Sequence, residues 1–217
     1  MVRTILITGA SQGSLEMAAG EEALSKFAAA VHASSTVVPV QLDITDAASI
    51  AAAHTFITDF LKARGIAGLD VLVNNAGIST EDFKETYGVN VFGTVAVTTA
   101  MRPLLVNGGA ILNISSRLSL IASYTKGPLP PILPPYASSK AAINMLTVTW
   151  AMQEEAAGSG PRLTIGLGPT TGYNRTQGTN YIGTGDPADG CKVIVAAALE
   201  TGGRTGILLN KNGVFEW

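Results

Sequence analysis

Only one cysteine, Cys191, occurs in the 217 residues, which excludes an internal disulfide, and it has no Cys or His company of the kind a metal site needs. Such a residue reads as a small buried hydrophobe. No apolar run reaches the ~18 residues of a membrane-crossing helix. Met1 leads directly into Thr4-Ile5-Leu6-Ile7-Thr8, with neither an apolar leader region nor a cleavage site, so a cytoplasmic address is expected. There is no run of Lys or Arg and the net charge is −2, which argues against nucleic acid or an anionic membrane as a partner. No internal repeat is visible either.

What is present is a chain 47% hydrophobic and 14% charged, enough for one sizeable core and too short for two full domains. A single domain over residues 1–217 is expected. Arg3 to Thr8 reads as a buried strand feeding the turn Thr8-Gly9-Ala10-Ser11-Gln12-Gly13, whose backbone N–H groups can approach a phosphate, although two glycines four apart also make an ordinary turn. The next expected strand is Thr36 to Gln41, and only the 27 residues from Gly9 to Ser35 precede it. A crossover helix, a second strand and another helix need roughly 40. Only one helix is visible there, Glu21 to about His32, with Leu24, Phe27, Ala28 and Val31 on one face.

Asp43 ends that strand, and a side-chain oxygen caps a helix running to about Arg64, with Ile50, Ala53, Ile57, Phe60 and Leu61 inward and His54 just off the stripe. Leu69 to Val73, apolar on both faces, runs into Asn74-Asn75-Ala76-Gly77 as a parallel-sheet strand would. Glu85 to Leu105 reads as a helix with Asn90 in its apolar run, where an amide needs buried partners. Ala110 to Ile114 is a strand that delivers Ser115 and Ser116 to the same sheet edge. Residues 117–135 read as a proline-stiffened loop. A long helix then carries Tyr136 and, four residues on and therefore on the same face, Lys140. A neighbouring ammonium favours a phenolate and brings a phenol toward working range, while the plain reading is a half-buried aromatic beside a solvated charge. Leu163 to Leu167 is a further strand ending in Gly168-Pro169-Thr170-Thr171-Gly172. A polar, glycine-rich segment through Asp186, a helix from Pro187, a strand Gly206 to Leu209 and an apolar tail Gly213 to Trp217 complete the chain. Alternating strands and helices favour one parallel α/β sheet.

The Thr-Gly-Ala-Ser-Gln-Gly turn, Asp43, the Asn-Asn-Ala-Gly turn, Ser116 and the Tyr136/Lys140 pair, in this order and strand context, resemble the short-chain dehydrogenase/reductase family. Tyr136 to Thr147 and the tail are most similar to its fungal or bacterial carbonyl reductases. The resemblance implies a single-domain Rossmann-like doubly wound parallel sheet, here with the first crossover helix and second strand missing or shortened. It implies reduction of a ketone or aldehyde to an alcohol, or the reverse, with NADP(H), NAD(H) not being excluded. Tyr136 would be the general acid, Lys140 would lower its pKa and hold the nicotinamide ribose, Ser116 would bond the substrate oxygen, and Asn90 would anchor a water in the proton path. Ser115 is the less favoured serine.

For cofactor binding, the resemblance has Gly9, Ser11, Gln12 and Gly13 face the phosphates and adenosine ribose, and Asp43 meet the adenine. Asn75, Ala76 and Gly77 would line the adenosine side, Pro169, Thr170 and Thr171 the nicotinamide amide, with Tyr136 and Lys140 also in that site. No metal is implied. Arg117 to Pro134 and Tyr173 to Asp186 would line the pocket of a small-molecule carbonyl or alcohol substrate. Pairing through the Tyr136 helix would give dimers or tetramers, unless the long preceding loop blocks it. The sequence departs from the family where Gly13 is followed by Ser14-Leu15-Glu16 and where Gly168-Pro169 replaces Pro-Gly. A missing first crossover also motivates a second reading, a member that keeps the fold and serves as a catalytically inactive binding or regulatory subunit.

Overall fold

Uninterrupted aliphatic stretches become neighbouring strands of one sheet. β1 (Ile5–Ile7), β2 (Leu69–Asn74), β3 (Leu105–Ser115), β4 (Arg162–Leu167), β5 (Ile207–Asn210) and β6 (Gly213–Phe215) lie side by side in chain order. The structure is a computed structural model, and it describes residues 3–10, 35–127, 132–158, 162–167, 185–200, 205–210 and 213–215. The first five strands pair in parallel, with Ile5 opposite Val71 and Asn74 opposite Asn113, whereas β6 returns antiparallel to β5. The expected all-parallel sheet therefore gives way at this edge. Only two residues separate Asn210 from Gly213, and a parallel crossover needs about a dozen.

Six helices and several tighter turns cover the sheet among the described residues. α1 (Ala47–Ala63) starts where the Asp46 carboxylate accepts from the amides of Ala48 and Ser49, and it buries Ile50, Ala53, Ile57 and Leu61. The expected helix from Glu85 to Leu105 is segmented into α2 (Phe83–Tyr87), a π turn at Gly88–Gly93, α3 (Thr94–Met101) and a 3₁₀ turn at Arg102–Leu104. The expected loop over 117–135 holds a 3₁₀ turn at Arg117–Ser119, α4 (Ile121–Thr125) and the first residues of α5 (Pro134–Ala157). α6 (Pro187–Leu199) follows β4.

Strand alternation sends neighbouring side chains to opposite faces. Leu6, Leu72 and Ile111 meet α1, α3 and α5 through Ile57, Val97, Met101 and Ala151. On the other face Val71, Val73, Ala110 and Leu112 meet Ala197 and Ala198 of α6. Helices thus lie on both faces of a Rossmann-like sheet. Arg3 reinforces the second face by donating through Nη1 to the Ala198 carbonyl at 2.6 Å, a cation at the end of α6.

Beside β1 that second face is thinly covered. Ile5 and Ile7 keep 39% and 51% of their surface exposed, while Leu6 packs into the other core. Residues 11–34, with the expected Glu21 to His32 helix and the reading of a shortened first crossover, lie outside the described residues. The expected strand at Thr36 to Gln41 is corrected: residues 35–43 run without regular structure. Their alternating valines suit a strand, but β1 is the last strand of the described sheet and nothing in it pairs with them. Cys191 is also corrected, since it is exposed on α6. No helix among the described residues is long and apolar enough to cross a membrane.

Candidate active site

The carboxyl ends of β1, β2 and β3 and the first turns of α5 converge, as ligand sites in open parallel sheets do. At the end of β1 the Thr8 hydroxyl accepts from the amides of Asn75 at 3.1 Å and Ala76 at 3.0 Å. Asn75 returns the tie by donating through Nδ2 to the Thr8 carbonyl at 2.9 Å. Gly9 has φ of 68°, and a Cβ there would lie 2.6 Å from the Ala76 Cα. Both the left-handed backbone and the contact require glycine. A Gly9→Ala variant is expected to lose roughly 2–5 kcal/mol by urea unfolding, combining αL strain with overpacking against backbone.

Gly77 has a comparable role in the turn after β2. A Cβ on it would stand 3.2 Å from Asn90 Oδ1 and 3.3 Å from Lys140 Nζ, so its bare backbone faces both polar groups. Asn90 lies in the π turn, a rare form that recurs at functional sites. Its buried amide accepts from the Ile78 amide at 2.8 Å and donates to the Ile78 carbonyl at 2.9 Å. It also donates to Ser139 Oγ at 3.0 Å, and Ser139 in turn donates to the Tyr136 carbonyl at 2.8 Å. Asn90 thereby joins the β2 turn to the first turns of α5.

Lys140 is 5% exposed and donates to the Ile114 carbonyl at 2.8 Å. Its Nζ stands 5.7 Å from the centre of the Tyr136 ring. Burial pulls this ammonium down to about 8. Burial also pushes the Tyr136 phenol up, and the influence of the Ser116 hydroxyl opposes that rise. The expectation that Lys140 draws the phenol toward its ionised form is thus not met in this state, because desolvation dominates both groups. Ser116 caps the 3₁₀ turn, its Oγ accepting from the Leu118 amide at 3.2 Å. Ser115 points elsewhere, into a buried contact with Asn144 at 2.5 Å.

Asp43 stands apart from this cluster. Its Oδ1 accepts from the Thr45 amide at 2.8 Å and the Thr45 hydroxyl at 2.7 Å, which holds the carboxyl below its usual range. One carboxylate oxygen is thus spent on the turn before α1. That turn packs on the π segment, where a Cβ at Gly93 would come within 2.8 Å of Ile44 Cγ1. Ser11, Gln12, Gly13, Pro169, Thr170 and Thr171 lie outside the described residues. Sequence reading missed Ser139, Asn144 and the Ile114 carbonyl. The available signal was a set of polar residues, Ser139, Asn144 and Thr147, on the buried side of α5.

The short chain dehydrogenase family profile matches residues 3–160. The chain belongs to the short-chain dehydrogenase/reductase family. This short-chain dehydrogenase is 30% identical over 232 residues to short-chain dehydrogenase anuI of Penicillium roqueforti, across 90% of this chain and 88% of that protein. Over 91 residues it is 43% identical to carbonyl reductase (NADPH) 1 of Macaca fascicularis, across 38% of this chain and 31% of that one. Two solved structures share its fold. Salutaridine reductase from Papaver somniferum has a TM-score of 0.74 at 21% identity, covering 95% of this chain and 99% of that one. NADPH-bound carbonyl reductase from chicken fatty liver has a TM-score of 0.72 at 22% identity over the whole of both chains.

As a member of this family the chain is an NAD(P)-dependent oxidoreductase acting between an alcohol and a carbonyl group. The described residues of the site suit a nicotinamide cofactor's ribose. A buried ammonium has three donors, and among the described residues only the Ile114 carbonyl accepts from this short-chain dehydrogenase's Lys140. Gly77 leaves room beside it.

Proposed function

We propose that this chain reduces a ketone or aldehyde to an alcohol with NADPH, or runs the reverse reaction. The bound nicotinamide would supply the hydride. Tyr136 gives its phenolic proton to the carbonyl oxygen as the carbonyl carbon becomes a C–H centre, and water returns the proton to Tyr136 afterwards. A phenol held up by burial is protonated at neutral pH, which suits an acid in the reductive direction. The Ser116 hydroxyl donates to the same substrate oxygen, so two positioned donors meet the developing alkoxide. Lys140 holds the ribose hydroxyls and keeps positive charge beside the phenol. Asn90 fixes the Ile78 backbone and, through Ser139, the start of α5; a water held at its backbone would link Lys140 to solvent. Gly9 and Asn75 to Gly77 line the cofactor's path. Ser11, Gln12, Gly13, Pro169, Thr170 and Thr171 are proposed to complete it, with the adenine at the free oxygen of Asp43.

The observation that carries this reading is the buried Lys140 ammonium beside Tyr136, with Gly77 left bare in front of it. Packing gives no reason to bury an ammonium with one acceptor. NADPH is favoured over NADH by the named carbonyl reductases and by the lack of an acidic residue about 20 positions after the glycine turn.

The test is a titration with NADPH and, separately, NADH, followed by a screen of ketones and aldehydes for cofactor consumption. NADPH at about 100 times its Kd is expected to stabilise the fold by about 2.7 kcal/mol. NADH at the same concentration is expected to stabilise it less. No stabilisation by either cofactor would overturn the reading and favour a non-catalytic role.

A further inference from the structure

Three buried side chains outside the proposed catalytic set form a closed triangle beneath Ser116. Ser115 ends β3, Ser119 ends the 3₁₀ turn, and Asn144 lies on α5 two turns beyond Tyr136; their exposures are 3%, 7% and 6%. Ser115 Oγ donates to Asn144 Oδ1 at 2.5 Å. Asn144 Nδ2 donates to Ser119 Oγ at 2.8 Å. Ser119 Oγ donates to the Ser116 carbonyl at 2.5 Å, and the Ser119 amide meets the same carbonyl at 3.0 Å. Each hydroxyl has one proton, and both are now assigned. The 3.2 Å approach of the two serine oxygens therefore closes the triangle without a further donor.

The donors run one way and end on the backbone of Ser116. Turning the Asn144 amide over would set an N–H against the Ser115 hydroxyl and an oxygen against Ser119, drawing the Ser119 proton away from the Ser116 carbonyl. The triangle thus fixes one orientation of the turn. That turn holds the Ser116 hydroxyl through the Leu118 amide. Since Asn144 and Tyr136 share one helix, the triangle fixes where the Ser116 hydroxyl stands relative to the phenol.

We propose that Asn144, acting with Ser115 and Ser119, is a positioning residue that holds the Ser116 hydroxyl in register with the Tyr136 phenol. The inference rests on the roles proposed above for Ser116 and Tyr136. A buried polar network of this kind specifies one arrangement where an apolar packing would tolerate several. Misplacement of a reacting group by ~1 Å can cost 10²-fold in rate.

The experiment compares Ser119→Ala, Ser119→Thr and Asn144→Leu with the wild-type protein. Ser119→Ala removes the donor to the Ser116 carbonyl and the acceptor of the Asn144 amide together, and is the variant least able to disturb folding. It is expected to lower kcat about 10–100-fold while leaving the KM for NADPH within twofold. Ser119→Thr, which keeps the hydroxyl, is expected to recover most of the loss. The alkaline shift of the phenol is a second readout: freeing Ser116 weakens an influence that favours the phenolate, so the pH for half-maximal alcohol oxidation rises. A third readout needs no activity, namely faster hydrogen exchange at the Leu118 and Ser119 amides, by about tenfold, in both Ser119→Ala and Asn144→Leu. Unchanged kcat, unchanged exchange, or an equal loss in Ser119→Thr would overturn the inference. A wild-type protein that turns over no carbonyl would overturn the catalytic reading instead, and the exchange rates alone would then decide for or against the triangle.

Discussion

Replacing Tyr136 with phenylalanine is expected to lower turnover about 10²–10⁴-fold, the usual contribution of a positioned acid. The fold should stay intact and the thermal midpoint should stay close to that of the wild type. The substitution removes one oxygen and keeps the ring. The Ser116 hydroxyl, whose influence eases the phenol's rise, retains the Leu118 amide as a donor. The Tyr136 carbonyl still accepts from Ser139, so the first turn of α5 keeps its tie to Asn90. Loss of rate should therefore fall on kcat, with the KM for cofactor little altered, because nothing else in the cluster loses a partner. Initial rates over a cofactor series, read beside a thermal melt, check both halves. A variant with undiminished turnover would remove Tyr136 from the mechanism.

The strands that carry this site were legible because they are long aliphatic runs on a face buried from both sides. Leu69 to Asn74 is the clearest, buried at every position but the half-buried Asp70, between α1 and α3 on one side and α6 on the other. Thr36 to Gln41 has the same β-branched character and forms no strand, since a strand requires a partner as well as a propensity. The exposed flanks of Ile5 and Ile7 tell the same story at β1, where an apolar pattern exceeds the cover the described residues supply. The π turn at Asn90 escaped detection for another reason. One inserted residue shifts the helical phase without changing composition, so Glu85 to Leu105 reads as one helix.

The candidate site divides similarly. Ser116, Tyr136, Lys140 and Asn90 could be read from spacing and family resemblance, which reports residue types at fixed offsets. Their supports could not. Ser139, Asn144, Ser119 and the Ile114 carbonyl matter through contacts between β3, the π turn and α5, elements tens of residues apart in sequence. The direction of the Tyr136 shift was equally hidden, because a neighbouring lysine implies a lowered pKa only where desolvation does not outweigh it.

Lys140→Met is the substitution that separates the chemical role of this lysine from its structural cost. A loss of turnover on the order of 10²–10³ is expected once the buried charge is gone. Its effect on stability should depend on pH, with a sign set by burial. The folded-state pKa lies near 8, below the ~10.4 of an unfolded lysine, so between those values the unfolded chain binds more protons. Wild-type stability therefore rises as pH increases through this window, as the folded protein sheds an ammonium it holds unfavourably. Methionine has no such proton to release. Near pH 7 the variant escapes the desolvation of the ammonium, but the Ile114 carbonyl loses its donor at a cost of ~1–3 kcal/mol, and these effects nearly cancel. By pH 10 the wild type should have gained roughly 2–3 kcal/mol on the variant. Titrating groups remote from Lys140 are common to both proteins and drop out of the difference. Urea unfolding of the pair at pH 7, 8, 9 and 10 measures it directly. A stability difference that stayed flat across this range would mean that Lys140 carries no buried, destabilised ammonium, and the observation on which the catalytic reading rests would be lost.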